Sequence, residues 1–344
     1  MIKINNKISF GLKRSPLIIA EISGNHRGDK KRFLKLIDSA FNNGADLVKI
    51  QTYEPKDITL NIKSDHFKIK NGIWKNSYFW DLYKKACTPF SWHKDAFQVA
   101  KKHKKVLFSS PFSLRAVDLL EKFNVPLYKI ASFEITDYNL IKYIASKNKP
   151  IIISTGMASI NEIKDAIKLV EKYHQKIIIL HCVSNYPTEL KDTNLIKINL
   201  LKKEFRKYLV GLSDHTDNIV SSLASIPLGV VAIEKHYNLD NKKTPDHKFS
   251  IGPKMMRDLK KFSLEIFEST NKFGKVKNFT RNIKFRRSIF ARTNIKKNEK
   301  ITHENISVLR PKIGICASQY FKIIGKKLKR NIRAEEPIFK NQLL

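Results

Sequence analysis

Two apolar runs end on a histidine beside a carboxylate: Leu209-Val210-Gly211-Leu212-Ser213-Asp214-His215 and Val230-Val231-Ala232-Ile233-Glu234-Lys235-His236. Neutral imidazoles and carboxylates delivered from the end of a strand can hold a divalent metal while open coordination positions face a substrate. One such run alone reads more simply as a surface histidine where a loop begins. The pair gains weight from the other strand-like runs, which also finish in polar residues. Their ends carry Glu21, then Lys49 and Gln51, Ser109 and Ser110, Lys129 and Ser132, Ser154 and Thr155, and Ser184 and Tyr186. Ammonium and hydroxyl donors on the same rim would suit a phosphate and a carboxylate. Ser132 or Ser154 taken singly serves equally well as the cap of a following helix.

These residues need a frame that brings them together. Strand-like runs recur at Leu17–Ile22, Asp46–Gln51, Val106–Ser109, Leu127–Ala131, Ile151–Ser154, Ile177–Cys182, Leu209–Ser213 and Val230–Lys235. Amphipathic stretches such as Lys31–Asn42, Ala116–Phe123, Ile160–Tyr173 and Ile219–Leu228 lie between them, with apolar residues three and four apart. Eight strand–helix units predict an α/β fold of the TIM (β/α)8 barrel type, which places its chemistry at the carboxyl ends of the strands. The opposite ends are apolar or marked by Pro16, Pro126 and Pro150. Lys49 and Gln51 are two residues apart and share a side, as do Glu234 and His236. Closure sets the eighth strand between the seventh and the first, at ~4.8 Å spacing, so Glu21, His215, Glu234 and His236 are expected to converge. Lys49, Lys129 and the hydroxyls of Ser132, Ser154, Ser184 and Ser213 fall further round the rim. The connection from Thr52 to about Ser91 is rich in aromatics, among them Tyr53, Trp74, Trp80 and Tyr83. It either shapes access to the rim or packs on the barrel as a flap.

With 344 residues and 42% hydrophobic content, the chain can bury one large core and a small second one. No apolar run approaches the ~18 residues of a membrane span, and the first residues do not read as a signal peptide. The expectation is a cytoplasmic protein with no membrane partner. Cys87, Cys182 and Cys316 lack metal-ligand spacing and read as reduced thiols, Cys182 as a core residue. The net charge of +35 attracts phosphate backbones. Its lysines are spread along the whole chain without the basic–aromatic interleaving of an RNA-binding sheet, so no dedicated nucleic-acid partner is expected. A basic surface also suits an enzyme of anionic substrates.

Seven segments in order resemble one family: Ile19-Ala20-Glu21-Ile22-Ser23-Gly24-Asn25-His26, Val48-Lys49-Ile50-Gln51-Thr52, Tyr128-Lys129-Ile130-Ala131-Ser132, Ser154-Thr155-Gly156-Met157-Ala158, Gly211-Leu212-Ser213-Asp214-His215-Thr216, Ile233-Glu234-Lys235-His236 and Pro245-Asp246-His247. The family is that of the phosphoenolpyruvate-dependent nonulosonic, or sialic-type, acid synthases. Arg286-Arg287-Ser288-Ile289 through Leu344 resembles the antifreeze-like (SAF) domain appended to these synthases. The implied organisation is a TIM barrel over 1–270, a linker over 271–285 and a small C-terminal SAF domain over 286–344. Asn294-Ile295-Lys296-Lys297-Asn298-Glu299 and Asn331-Ile332-Arg333-Ala334-Glu335-Glu336 form a weak internal echo within the tail. Ala131–Asp137, Phe108–Phe112 and Leu82–His93 look more like the pseudaminic acid branch, whereas Thr244-Pro245-Asp246-His247 is more familiar from the sialic and legionaminic branches. Arg27 stands where the family pattern carries asparagine.

The resemblance implies that phosphoenolpyruvate condenses with an open-chain acetamido sugar, with 2,4-diacetamido-2,4,6-trideoxy-L-altrose the first expectation, giving a nine-carbon acid and phosphate. It implies a divalent metal, Mn2+ or Mg2+, on His215 and His236, polarising the aldehyde oxygen. Glu21 and Glu234 would hold metal-bound waters and help move a proton. Lys49, Ser110, Lys129, Ser132, Ser154, Ser184 and Ser213 would bind phosphoenolpyruvate, and Gln51, Tyr186, Asp246 and Arg310 the sugar. Arg310 would act across a domain-swapped homodimer. The alternatives are an N-acetylneuraminate or legionaminic acid synthase, a basic RNA-associated barrel protein, or a pyruvate aldolase using Lys49 or Lys129 as a Schiff base.

Overall fold

The computed structural model describes residues 1–240, 242–270 and 280–344. Eight parallel strands close into a barrel. They are β1 (Leu17–Glu21), β2 (Leu47–Thr52), β3 (Val106–Pro111), β4 (Tyr128–Ile130), β5 (Ile151–Ser154), β6 (Ile177–Cys182), β7 (Leu209–Asp214) and β8 (Ala232–His236). β8 pairs with both β7 and β1, with His236 opposite Glu21 and Glu234 opposite Ser213. The sequence boundaries hold to within two residues, and the expected TIM barrel is the observed architecture.

Alternation along each strand splits its side chains between two cores. Ile18, Val48, Ile153, Ile179 and Ile233 face outward, into the layer shared with the helices. Ile19, Leu47, Phe108, Ile152, Leu180 and Ala232 face inward. Phe10, from the short hairpin Ile2–Lys3 and Ser9–Phe10, joins the inward cluster where the strands begin. Each fully buried Ile or Leu contributes roughly 1.5–3 kcal/mol relative to exposure. One step of two residues beyond this apolar layer, the same face carries Glu21, Lys49, Ser110, Lys129, Ser154, Cys182, Ser213 and Glu234, all buried. A Cβ on Gly211, two residues before Ser213, would lie 2.6 Å from Leu180 Cδ2 and 2.7 Å from the Ala232 carbonyl oxygen. Only glycine leaves room there for the apolar layer to close.

The helices start where short polar side chains satisfy free backbone N–H groups. Asp29 accepts from the backbone of Lys31 and Arg32 to open α1 (Lys30–Asn42), whose Phe33, Leu36, Ile37, Ala40 and Phe41 are buried. Further helices are α2 (Phe79–Ala86), α3 (His93–His103), α4 (Leu114–Lys122), α5 (Tyr138–Ala145) and α6 (Ile160–Glu171), the last opened by a Ser159–Glu162 capping box. α7 (Lys197–Glu204), α8 (Val220–Ala224) and α9 (Pro253–Thr270) complete the ring. The helix expected over Ile219–Leu228 stops at Ala224 and resumes as a 3-10 turn at Ile226–Leu228. Pro227 has no N–H to continue the ladder. No helix among the described residues is long and apolar enough to cross a membrane.

The chain divides into two compact units, Met1–Phe273 and Gly274–Leu344. Of the expected linker 271–285, residues 271–279 lie outside the described residues, and Thr280–Phe285 form a 3-10 turn. The second unit pairs β9 (Ser288–Ala291) with β10 (Ile306–Leu309), adds the short α10 (Tyr320–Ile323), and packs Ile289, Ile295, Ile301, Ile315, Ile332 and Ile338 into its own core. The internal echo pairs with itself. Ile295 bridges Ile332, Lys297 N donates to Asn331 Oδ1 at 2.7 Å, and Ala334 N donates to Asn294 Oδ1 at 2.9 Å. Glu299 and Glu336 repeat one local turn, accepting from the backbones of Lys296 and Arg333.

Arg27 follows the 3-10 turn Ser23–His26 with φ 58° and ψ 29°, in the left-handed region. Asparagine visits that region at lower cost because its short side chain bonds locally. Arg27→Asn is therefore expected to stabilise the barrel by about 0.5–1 kcal/mol, seen as a higher urea midpoint at unchanged slope; a lower midpoint would show that the arginine side chain outweighs the backbone.

Candidate active site

The inward polar layer centres on one oxygen. Glu234 Oε1 accepts from Lys49 Nζ at 3.0 Å, Lys129 Nζ at 3.2 Å and Ser213 Oγ at 3.1 Å. Lys49 also lies 3.0 Å from Glu21 Oε2, at ion-pair distance without hydrogen-bond alignment, and Gln51 donates to Glu21 Oε1 at 3.2 Å. Burial works against charging these groups, yet the ammonium groups of Lys129 and Lys49 hold Glu234 far below the usual carboxylate range. Lys49 shows the converse. Burial favours its neutral form, but Glu21 and Glu234 outweigh that and push it up. Lys129, between one carboxylate and a second ammonium, is pulled down by burial to about 8. Oε2 of both Glu21 and Glu234 has no hydrogen-bond partner among the described residues, nor have the buried Ser110 and Ser154 hydroxyls.

Beside this layer the turn after β5 makes a cradle. Gly156 N donates to Ser132 Oγ at 3.0 Å, and a Cβ on Gly156 would lie 1.9 Å from Ser184 Oγ and 2.9 Å from Ser132 Oγ. Two hydroxyls and a bare backbone therefore converge from the ends of β4, β5 and β6, an arrangement suited to an oxyanion.

The imidazoles of His215 and His236 sit with ring centroids 5.4 Å apart. His215 Nδ1 lies 2.8 Å from the Val183 carbonyl, which can only accept, so in the neutral ring Nε2 carries the lone pair. His236 Nδ1 is 3.4 Å from Asp246 Oδ2, and Asp246 also accepts from Gly24 N at 3.4 Å. Among the described residues, no group of three or more His, Cys, Asp or Glu side chains is gathered as a metal cage. The donor set on offer is two imidazoles, flanked by carboxylates. A wall of rings closes the far side: Tyr186 lies 4.4 Å from His215, Phe249 4.7 Å from His236, and Trp74 5.5 Å from Tyr186. Trp74 Nε1 donates to the Pro245 carbonyl at 3.0 Å, so the long connection after β2 both packs on the barrel and reaches its mouth.

Of the residues singled out in the sequence, the fold gathers Glu21, Lys49, Gln51, Lys129, Ser213 and Glu234 in one network, and Ser132 with Ser184 in another. His215, His236, Tyr186 and Asp246 form the third group, and Ser110 and Ser154 face inward without direct contact to these. Ser109, by contrast, points outward and bonds Thr52 Oγ1 at 2.6 Å and the Ile50 carbonyl at 3.0 Å. Arg310 lies exposed in the second unit, just after β10. Two residues escaped the sequence reading. Cys182, read there as core, faces inward with Sγ 3.8 Å from His215 Nδ1 and 3.9 Å from Ser184 Oγ. Burial raises its thiol, but His215 and Lys129 bring it down to about 7. Glu134, two residues after Ser132, buries Oε2 without a partner among the described residues. Burial pushes its carboxyl up to about 7, although Lys129 and Lys49 are close enough to oppose the shift. Its two-residue spacing from Ser132 was the available signal, hidden because the segment is a turn.

Comparison with known proteins agrees with this geometry. Pseudaminic acid synthase of Helicobacter pylori is 39% identical over 329 residues, 94% of this chain and 96% of that protein. N,N'-diacetyllegionaminic acid synthase of Campylobacter jejuni is 36% identical over 94% of this chain and 99% of its own length. The crystal structure of N-acetylneuraminic acid synthetase from Leptospira borgpetersenii, in complex with citrate, superposes with a TM-score of 0.73 at 27% identity, covering 82% of this chain and 94% of that one. The SAF domain pattern matches residues 286–344, where the echo-paired unit lies. The NeuB family pattern matches residues 36–275, from within α1 to beyond α9, and with relatives this similar along almost their whole length the chain belongs to the NeuB family.

Proposed function

We propose that this chain condenses phosphoenolpyruvate with open-chain 2,4-diacetamido-2,4,6-trideoxy-L-altrose, releasing phosphate and forming the nine-carbon pseudaminic acid. The observation that carries the reading is the pairing, in one barrel mouth, of two imidazoles with an anion cradle built from Ser132, Ser184 and Gly156, with Lys129 in the adjoining network. Simple metal hydrolysis needs no second anion site. The pseudaminic choice rests on the relative from Helicobacter pylori.

In this reading Lys129, Ser132, Ser184 and the free hydroxyls of Ser110 and Ser154 hold the phosphate and carboxylate of phosphoenolpyruvate. Phosphate binding draws Lys129 from Glu234 and raises the basicity of that carboxylate, whose free Oε2 takes the proton of the water adding at C2. Glu21, oriented by Gln51, supports that water from the other side. Tyr186, Asp246 and Gln51 read the sugar, and Arg310 does so across a homodimer. Glu134, kept protonated towards neutral pH, offers a hydrogen-bond donor at the mouth.

The residues present fit a divalent cation. Glu21 and Glu234 are buried against the ammonium groups of Lys49 and Lys129, and Asp246, also buried, lies beside the His236 imidazole, so three carboxylates and two imidazoles border one mouth. His215 and His236 would hold Mn2+ or Mg2+. When bound, such an ion acts as a Lewis acid on the aldehyde oxygen.

Incubating the full chain with phosphoenolpyruvate, Mn2+ and each candidate sugar, followed by product mass spectrometry, tests the reaction. The altrose derivative should turn over at least tenfold faster than N-acetylmannosamine or the legionaminic precursor; the reverse order would transfer the chain to one of those activities. His236→Ala should lower phosphate release at least about 100-fold with an unchanged melting temperature, and an undiminished rate would remove His236 from the site.

Glu134 carries a pH signature. Its folded value of about 7 stands above the ordinary 4.5, so the folded state binds the proton more tightly and stability falls as pH rises from about 4.5 to about 7. Glu134→Gln removes that loss. The variant should gain about 1–3 kcal/mol over the parent at pH 8 and little at pH 4; equal urea midpoint shifts at both pH values would show that the carboxyl is hydrated.

A further inference from the structure

Each residue proposed to hold the cation has a charged neighbour on the outer face of the barrel, and these two neighbours meet. Asp214 and Lys235 are directly opposed across β7 and β8. Lys235 Nζ lies 3.2 Å from Asp214 Oδ2, with side-chain exposures of 0% and 1%. The same ammonium donates to the Thr216 carbonyl at 2.5 Å and to Thr216 Oγ1 at 3.0 Å. Asp214 in turn accepts from Thr216 N at 2.9 Å and from Ser222 Oγ at 2.5 Å. Lys235 thus gives two hydrogen bonds to Thr216 and holds Asp214 as an ion pair, and both carboxylate oxygens accept from other donors.

His215 stands between Asp214 and Thr216, and His236 follows Lys235. One ammonium therefore grips the chain on both sides of the first imidazole, from the residue next to the second. A purely structural ion pair at this depth is replaceable by apolar side chains of similar volume. Such a replacement keeps the strands packed but leaves the Thr216 carbonyl without the ammonium and its hydroxyl with the Asn218 carbonyl alone, loosening the turn that carries His215.

We propose that Asp214, Thr216 and Lys235 form a positioning staple that sets the spacing of His215 and His236, and with it the affinity for the divalent cation. The inference rests on the cation reading given above. None of the three touches a reacting atom, so they are positioning residues.

The test is Mn2+ titration of the full chain followed by electron paramagnetic resonance of the free ion, alongside calorimetric titration of phosphoenolpyruvate without metal. Lys235→Met should raise the Mn2+ Kd about 10–100-fold while phosphoenolpyruvate binding stays within about twofold, because the anion cradle lies on β4, β5 and β6. If the single variant fails to fold, the paired Asp214→Leu, Lys235→Met variant removes the uncompensated charge and should show the same selective loss. Thr216→Val, which deletes only the hydroxyl, should give a smaller loss in the same direction. A folded paired variant with parental Mn2+ affinity would overturn the staple, as would a parallel loss of phosphoenolpyruvate binding. Absence of saturable Mn2+ binding in the parent would instead overturn the cation reading, and the staple with it.

Discussion

Everything at the mouth of the barrel depends on the burial of one carboxylate, Glu234, with Lys49, Lys129 and Ser213 sharing its Oε1. Removing one partner of such a buried group costs about 3–5 kcal/mol, because a charge is left uncompensated. The donors come from β2, β4 and β7 and the acceptor from β8, so the network is satisfied only when the sheet has closed on itself. Closure of the barrel and assembly of the polar layer are therefore one event. The apolar layer beneath, with Gly211 admitting Leu180 and Phe10 at the strand-start end, supplies the dry floor that makes these interactions strong.

Strand alternation then separates two tasks. Inward positions at the strand ends carry the groups that a substrate would meet, and outward positions carry packing. The outward set is not wholly apolar, since Asp214 and Lys235 lie there, buried and mutually satisfied. A polar pair in the helix-facing layer has no hydrophobic role. Its position on the two histidine-bearing strands ties the outer layer to the geometry of the inner one.

The barrel was legible because alternation is a property of sequence. Glu234 and His236, or Lys49 and Gln51, share a face by arithmetic, and closure makes Glu21 the neighbour of His236. What was not legible lies where alternation stops. Glu134 sits in a 3-10 turn, so its approach to Lys129 follows from the path of a loop. Cys182 does alternate inward, but a cysteine in an apolar run looks like any core thiol until His215 is seen beside it. Ser109 shows the limit in the other direction: a strand-end hydroxyl one residue out of phase belongs to the outer layer, with Thr52 and His93. Phe249 reaches the imidazoles and Trp74 packs on Phe249 from a separate connection, and no local pattern links them.

The mouth is also incompletely satisfied. Glu21 Oε2, Glu234 Oε2, His236 Nδ1 and the hydroxyls of Ser110 and Ser154 are buried without hydrogen-bond partners among the described residues. Each such group costs about 1–3 kcal/mol when left unmade, and natural folds carry few of them. All five residues lie at the carboxyl ends of the barrel strands, on the rim that also carries Lys49 and Lys129. Glu21 Oε2 has the Lys49 ammonium at ion-pair distance, Glu234 Oε2 is left for a further donor, and the Ser110 and Ser154 hydroxyls can give their protons to an acceptor. One ligand of a single sign would satisfy only half of this set. A cation together with an oxyanion satisfies both halves, and by linkage each would bind better in the presence of the other. On the function proposed above, the hydrogen bonds unmade within the mouth are the ones that phosphoenolpyruvate and its cation would complete.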